Sequence, residues 1–145
     1  MLKQEDRRDD PIKNLKDVLD NEKTFLKIDL KDLIGPESYA AKISKKLNIT
    51  PVQLRKVFSE FKNIYALYKA NYKNLTEEKK EEIRLKLYKL YPILQYQANR
   101  GLIDHNFKTL MWEILNLLDE KISENKKEEF DRVIDFMEAL VAYMK

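Results

Sequence analysis

"TPVQLRKVFSEFKNIYALYKANY", Thr50 to Tyr72, contains a helix start and about six turns of unbroken helical pattern. Thr50 is a good N-cap, Pro51 suits the first helical position, and Gln53 completes a capping box. At about 100° per residue, Leu54, Val57, Phe58, Phe61, Ile64, Tyr65, Tyr68 and Tyr72 share one side, the signature of a helix packed on a core. Arg55, Lys62, Lys69 and Lys73 form a second line beside that stripe. Ser59, Asn63, Ala66 and Ala70, with Lys56 at the margin, occupy the remaining side. The first charges after the cap are Arg55 and Lys56, although a helix N-terminus prefers Asp or Glu by about 0.3–1 kcal/mol each. A face of small residues flanked by cations lets a backbone or a neighbouring subunit approach closely.

Working outward, Pro36 and Glu37 open a helix of about three turns through Leu47, closed by Asn48. A third helix begins near Glu77, meets Pro92, where it must kink or restart, and stops at Gly101. A fourth spans about Asp104 to Ile122 and a fifth about Glu124 to Met144. Residues 1–24 mix charges without periodicity and read as disordered or loosely attached. The expectation is an all-α chain, a compact bundle of about five helices. Residues 1–35 form a partly disordered N-terminal arm, flexible or loosely docked, and residues 36–145 a single helical domain. Two glycines, four prolines and no cysteine among 145 residues agree with this and exclude disulfides. No run approaches the ~18 uncharged apolar residues of a membrane span, and no signal-peptide core is present, so the expected location is cytoplasmic.

The net charge of +3 is unevenly placed. Residues 1–37 carry 8 Lys/Arg against 10 Asp/Glu, and residues 74–145 carry 12 against 14. Residues 38–73 carry 8 against Glu60 alone, a balance of +7 that points to a polyanion. Lys42, Lys45, Lys46, Lys62 and Lys69 are contributors or solvated side chains.

Catalytic groups are scarce. His105 is the only histidine and lacks a partner for a metal. Asp9 with Asp10, and Glu128 with Glu129, point apart on a helix and read as helix-start charge or solubility. There is no Gly-rich phosphate loop and no Ser-centred nucleophile motif. The chain reads as a binding protein, not an enzyme, with no cofactor, metal or small-molecule substrate. Phe136, Ala139 and Tyr143, with Arg132, lie off the core stripe of the fifth helix and suggest a subunit interface, as does Trp112 on the fourth. The competing arrangement is a fifth helix buried on both sides. "ESYAAKISKKLNITPVQLRKVF", Glu37 to Phe58, also has the look of a helix-turn-helix, so a DNA-binding regulator with Gln53, Arg55 and Lys56 facing a groove is the alternative.

Three segments together resemble the small subunit of type III-A CRISPR–Cas effector complexes, the Csm small subunit. They are "TPVQLRKVFSEF" (Thr50–Phe61), "LYPILQYQANRG" (Leu90–Gly101) and "FDRVIDFMEALVAYMK" (Phe130–Lys145). In order and spacing the similarity covers about residues 38–145. It implies a compact, non-catalytic helical protein that stacks with copies of itself and with other Csm-complex subunits along guide and target RNA. By motif position, RNA-facing basic residues fall on Arg55, Lys56, Arg100 and Arg132, with Gln53, Lys46 and Lys62 completing the candidate set. Where relatives often place a basic residue after the proline of the second segment, this chain has Ile93.

Overall fold

The computed structural model describes residues 10–144, so residues 1–9 of the expected arm, Asp9 of the Asp9–Asp10 pair among them, and Lys145 lie outside it. Among the described residues the chain is all-α: α1 (Pro11–Glu22), α2 (Leu30–Ile34), α3 (Tyr39–Lys46), α4 (Pro51–Asn71), α5 (Glu77–Asn99), α6 (His105–Ser123) and α7 (Lys127–Tyr143). A 3₁₀ turn, Tyr72–Asn74, follows α4.

Two helices organise the bundle. α7 packs against α2, α3, α4 and α6, and α6 against α1, α5 and α7. One continuous core results, from Ile12 on α1 to Leu140 on α7. The stripe read on α4 is its buried face: Leu54, Val57, Phe58, Phe61, Ile64 and Tyr68 are buried, and Tyr65 and Tyr72 pack half-buried at its margin. Phe130 of α7 lies between Tyr65 and Tyr68, at ring distances of 5.3 and 5.5 Å. The phenols reach past it to polar partners, Tyr65 donating to Asp131 at 2.6 Å and Tyr68 to Asn125 at 2.7 Å. Burial pushes the Tyr68 hydroxyl up to about 12, so it remains a donor throughout the physiological range.

The helix ends follow local chemistry. Thr50 and Thr76 accept from the third amide of α4 and α5, Gln53 and Lys79, at 3.1 and 3.2 Å. α3 begins at Tyr39, with Ser38 as its cap, rather than at Pro36, and ends in extended Leu47. Left-handed backbone occurs not at Asn48 but at Lys23, Gly101 and Asn125. Gly101 at φ +74° closes α5 as its position after Arg100 requires. α5 does not restart at Pro92; the proline is exposed, so the carbonyl it leaves without an amide partner can meet water.

The principal departure concerns residues 10–35. Residues 11–22 are helical: Asp10 accepts from the Lys13 amide at 3.2 Å, Pro11 takes the first helical position, and Ile12, Leu15 and Leu19 are buried. Phe25, Ile28 and Leu33 belong to the same core. This segment is joined to α7 by Glu129, whose carboxylate is fully buried and accepts from the Thr24 hydroxyl and the Phe25 amide, both at 2.5 Å. Thr24 Oγ1 in turn accepts from the Leu26 amide at 3.0 Å, closing a tight turn. The Glu128–Glu129 pair therefore divides, one exposed and one a buried cross-link.

Two outcomes are expected. Glu129→Ala leaves a buried amide and hydroxyl without their acceptor and should cost about 2–4 kcal/mol in denaturant unfolding, since hydrogen bonds to charged groups are worth about 1.5–3 kcal/mol. The second concerns Asp20 of α1 and Glu113 of α6, which share a hydrogen bond. That bond, with help from Lys16 and Lys23, holds Asp20 below its ordinary value, while burial, and then the bond, pushes Glu113 above its own. The folded chain thus keeps a Glu113 proton that the unfolded chain releases above the ordinary value of 4.5, so this contribution falls as pH rises from there until Glu113 itself ionises. Asp20 contributes oppositely, its stabilisation being lost as pH falls below 3.8. Glu113→Gln should remove the decline on the alkaline side, seen as a flatter melting temperature between pH 4.5 and neutrality.

Candidate nucleic-acid interface

α3, the turn after it and α4 carry the basic block. The turn is fixed from outside: the Asn48 amide donates to both carboxylate oxygens of Asp104, at 3.0 and 3.1 Å, tying α4 to the start of α6. All eight cations of residues 38–73 are exposed, and none forms an ion pair among the described residues. α5 provides the contrast. Lys79, Lys80 and Arg84 pair with Glu82, Glu77 and Glu81 on the same helix, at 3.2 to 3.4 Å. α4 lacks such alternation, so its positive field is not cancelled locally.

Arg55, Lys62 and Lys69 recur every seven residues, a spacing of about 10 Å along the axis. Lys62 lies over the Phe58 ring at 5.2 Å and Lys69 over Tyr65 at 5.8 Å, contacts that set the stems while the ammonium groups remain exposed. Ser59, Asn63, Ala66 and Ala70 are exposed beside this row, leaving a low surface next to a line of charge. Arg55 and Lys56 are the fifth and sixth helical residues after Thr50. They lie beyond the first turn, where the helix dipole acts most, so their mismatch with it is small. What sets them apart is the missing acid partner.

The other sequence-derived candidates divide. Gln53 is buried, 9% exposed, and is a packing residue at the start of α4 rather than a ligand-facing one. The helix-turn-helix alternative loses a reader with it. Lys46, with Lys45, is exposed in the last turn of α3, where cations complement the helix dipole without any ligand. Arg100 follows α5 with its guanidinium over the Tyr96 ring at 5.4 Å, exposed. Arg132 is half-buried on the side of α7 turned away from α4, and its buried Nη1 makes no hydrogen bond, so the fold does not bring it to this face. His105 is exposed as the first residue of α6, and no group of three His, Cys, Asp or Glu among the described residues could hold a metal.

The expected subunit interface is corrected at Phe136. Phe136 is fully buried and meets Phe25 at 6.0 Å. Ala139 is half-buried against the core, and the Tyr143 hydroxyl donates to the Ile34 carbonyl at 2.9 Å. Residues 24–34 of the same chain cover Phe136 on the second face of α7 and leave Tyr143 exposed. Trp112 is also engaged internally, its indole N–H donating to the Tyr91 carbonyl at 3.1 Å, with the two rings edge-on at 5.7 Å. Besides Tyr143, exposed apolar side chains lie at Leu26, Leu30, Val52 and Leu102 and, on α5, at Leu85, Tyr88, Ile93 and Tyr96. Their signal in the sequence is position: on α5 they fall off the buried stripe of Ile83, Leu87, Leu90 and Leu94.

Val52 is the second residue of α4 and is exposed. Val52→Glu should stabilise the folded chain by about 0.3–1 kcal/mol through the helix dipole, measured by thermal unfolding.

No curated protein and no solved structure matches the chain. A family model, Csm2 Type III-A, matches residues 27–145, starting upstream of the resemblance read from the motifs. The chain therefore belongs to the Csm2 type III-A family, the small subunit of type III-A CRISPR–Cas complexes.

Proposed function

We propose that this chain is a non-catalytic subunit that lies along the guide and target RNA of a cytoplasmic Csm ribonucleoprotein, contacts other Csm subunits and copies of itself, and serves antiviral defence. The observation that carries the RNA contact is the row of exposed cations on α4 with no acid to neutralise it. Phosphates supply the missing charge, and their neutralisation releases counterions, so affinity depends on salt more than on sequence. Sequence is then left to base pairing between guide and target, while the protein follows the backbone. Contacts between copies do not involve Phe136, which the chain itself buries. No cofactor, metal or small-molecule substrate enters this reading. No helix among the described residues is long and apolar enough to cross a membrane.

The test is affinity against salt for two RNAs of unrelated sequence and equal base composition. Equal affinities with a steep salt slope are expected, and Arg55→Ala or Lys56→Ala should each reduce the slope by about 0.7–0.9. A flat salt dependence, or strong preference for one sequence, would refute the backbone contact.

A further inference from the structure

α5 is apolar on two opposite sides. Its buried stripe, Ile83, Leu87, Leu90, Leu94 and Ala98, faces inward as the helix packs against α4 and α6. About 180° round the helix, Leu85, Pro92 and Tyr96 form a second stripe, flanked by Tyr88 on the α6 side and Ile93 on the α4 side. All five are exposed, Leu85 by 55% and Tyr96 by 59%. A surface helix ordinarily turns polar residues outward, so this stripe is a place for a partner.

The charges beside the stripe identify that partner. Lys89 and Arg100 lie on its α4 side, exposed and without an ion pair among the described residues. Glu82 lies on the same side near the other end, in an exposed 3.2 Å pair with Lys79 that adds little by itself. Two such stripes laid parallel bring Lys89 level with Lys89 and Arg100 level with Arg100. Laid antiparallel about a two-fold axis beside Pro92, they match instead. Lys89 of one copy comes level with the Tyr96 ring of the other, and Arg100 falls about 4–5 Å along the axis from Glu82. Lys89 then gains a ring face and Arg100 a carboxylate. The same axis keeps the α4 sides of both stripes together. Because Ile93 borders α4 at Val52, Arg55 and Lys56, both cation rows come to one side of the pair, where a single strand can cross them.

Resting on the contact between copies in the function given above, we propose that two copies of this chain pair through the exposed stripe of α5, antiparallel about a two-fold axis beside Pro92. Lys89 then lies over the partner's Tyr96, and Arg100 against the partner's Glu82. The contact is short, about 17 Å from Leu85 to Tyr96, so the pair forms in the micromolar range.

The test is sedimentation velocity of the full chain across the micromolar range, without RNA, with helicity of each variant checked by circular dichroism. A monomer–dimer equilibrium is expected. Leu85→Asp, at an exposed position, should weaken it tenfold or more. Glu82→Arg and Arg100→Glu should each weaken it by about twofold to tenfold, and the two together should restore it. A dimer indifferent to Leu85→Asp would overturn this face and leave contact between copies standing. Failure of the double charge reversal to restore pairing would overturn the antiparallel arrangement. A chain monomeric throughout the range would overturn the pairing. If it also stayed at one copy on an RNA long enough for two, contact between copies would fall with it.

Discussion

A carboxylate with no solvent exposure holds the two ends of the described chain together. Glu129 takes a hydroxyl and a backbone amide from the Thr24–Phe25 turn, and that turn carries Phe25 onto Phe136. Burying a carboxylate is costly unless donors meet it, and here two do, close to the α7 N-terminus whose dipole also favours negative charge. The consequence reaches every layer. With residues 24–34 seated, Phe136 is covered on the second face of α7, and α7 meets α4 through Tyr65, Tyr68 and Phe130 on the other. α4 is thereby fixed with its core stripe inward and its cations outward.

Charge is distributed according to the same division of labour. Where helices serve packing, acids and bases pair locally or between helices: Lys79 with Glu82, Arg84 with Glu81 and Asp119, Lys127 with Asp131. Exposed pairs of this kind add little each, but they cancel the field. On α4 the field is left standing. Because the mismatch with the helix dipole is small beyond the first turn, leaving Arg55 and Lys56 unpaired costs the folded chain little while keeping them available to an anion. On the proposed reading, such cations suit a surface that holds many RNA sequences alike better than shape-specific readers would.

Much of this was legible in the residues. The caps at Thr50 and Thr76, the α4 stripe, the closing glycine of α5 and the +7 block all follow from local chemistry and about 100° per residue. So did the family, from three ordered motifs, and the family model agrees with it. α1 left a signal that charge obscured: Asp10–Pro11 is a cap and first-turn pair, and Ile12, Leu15 and Leu19 recur at helical spacing. With lysines and acids between them, the pattern read as a mixed tail. Gln53 satisfied a capping box on paper, but the packing of α4 buries it.

Periodicity shows that a helix has a second apolar face; it does not show what covers that face. Phe136, Ala139 and Tyr143 lie on a different side of α7 from Phe130, Val133 and Met137, yet whether they meet another subunit or the chain's own N-terminal segment depends on contacts more than a hundred residues apart in sequence, such as Phe25 to Glu129 and Ile34 to Tyr143. The sequence by itself determined the helical class, the caps and the location of uncompensated charge, because these depend on neighbours within a turn or two. Only the tertiary structure decided which apolar face was interior and which cations stayed unpaired, because burial and neutralisation belong to what packs opposite, not to the residue itself.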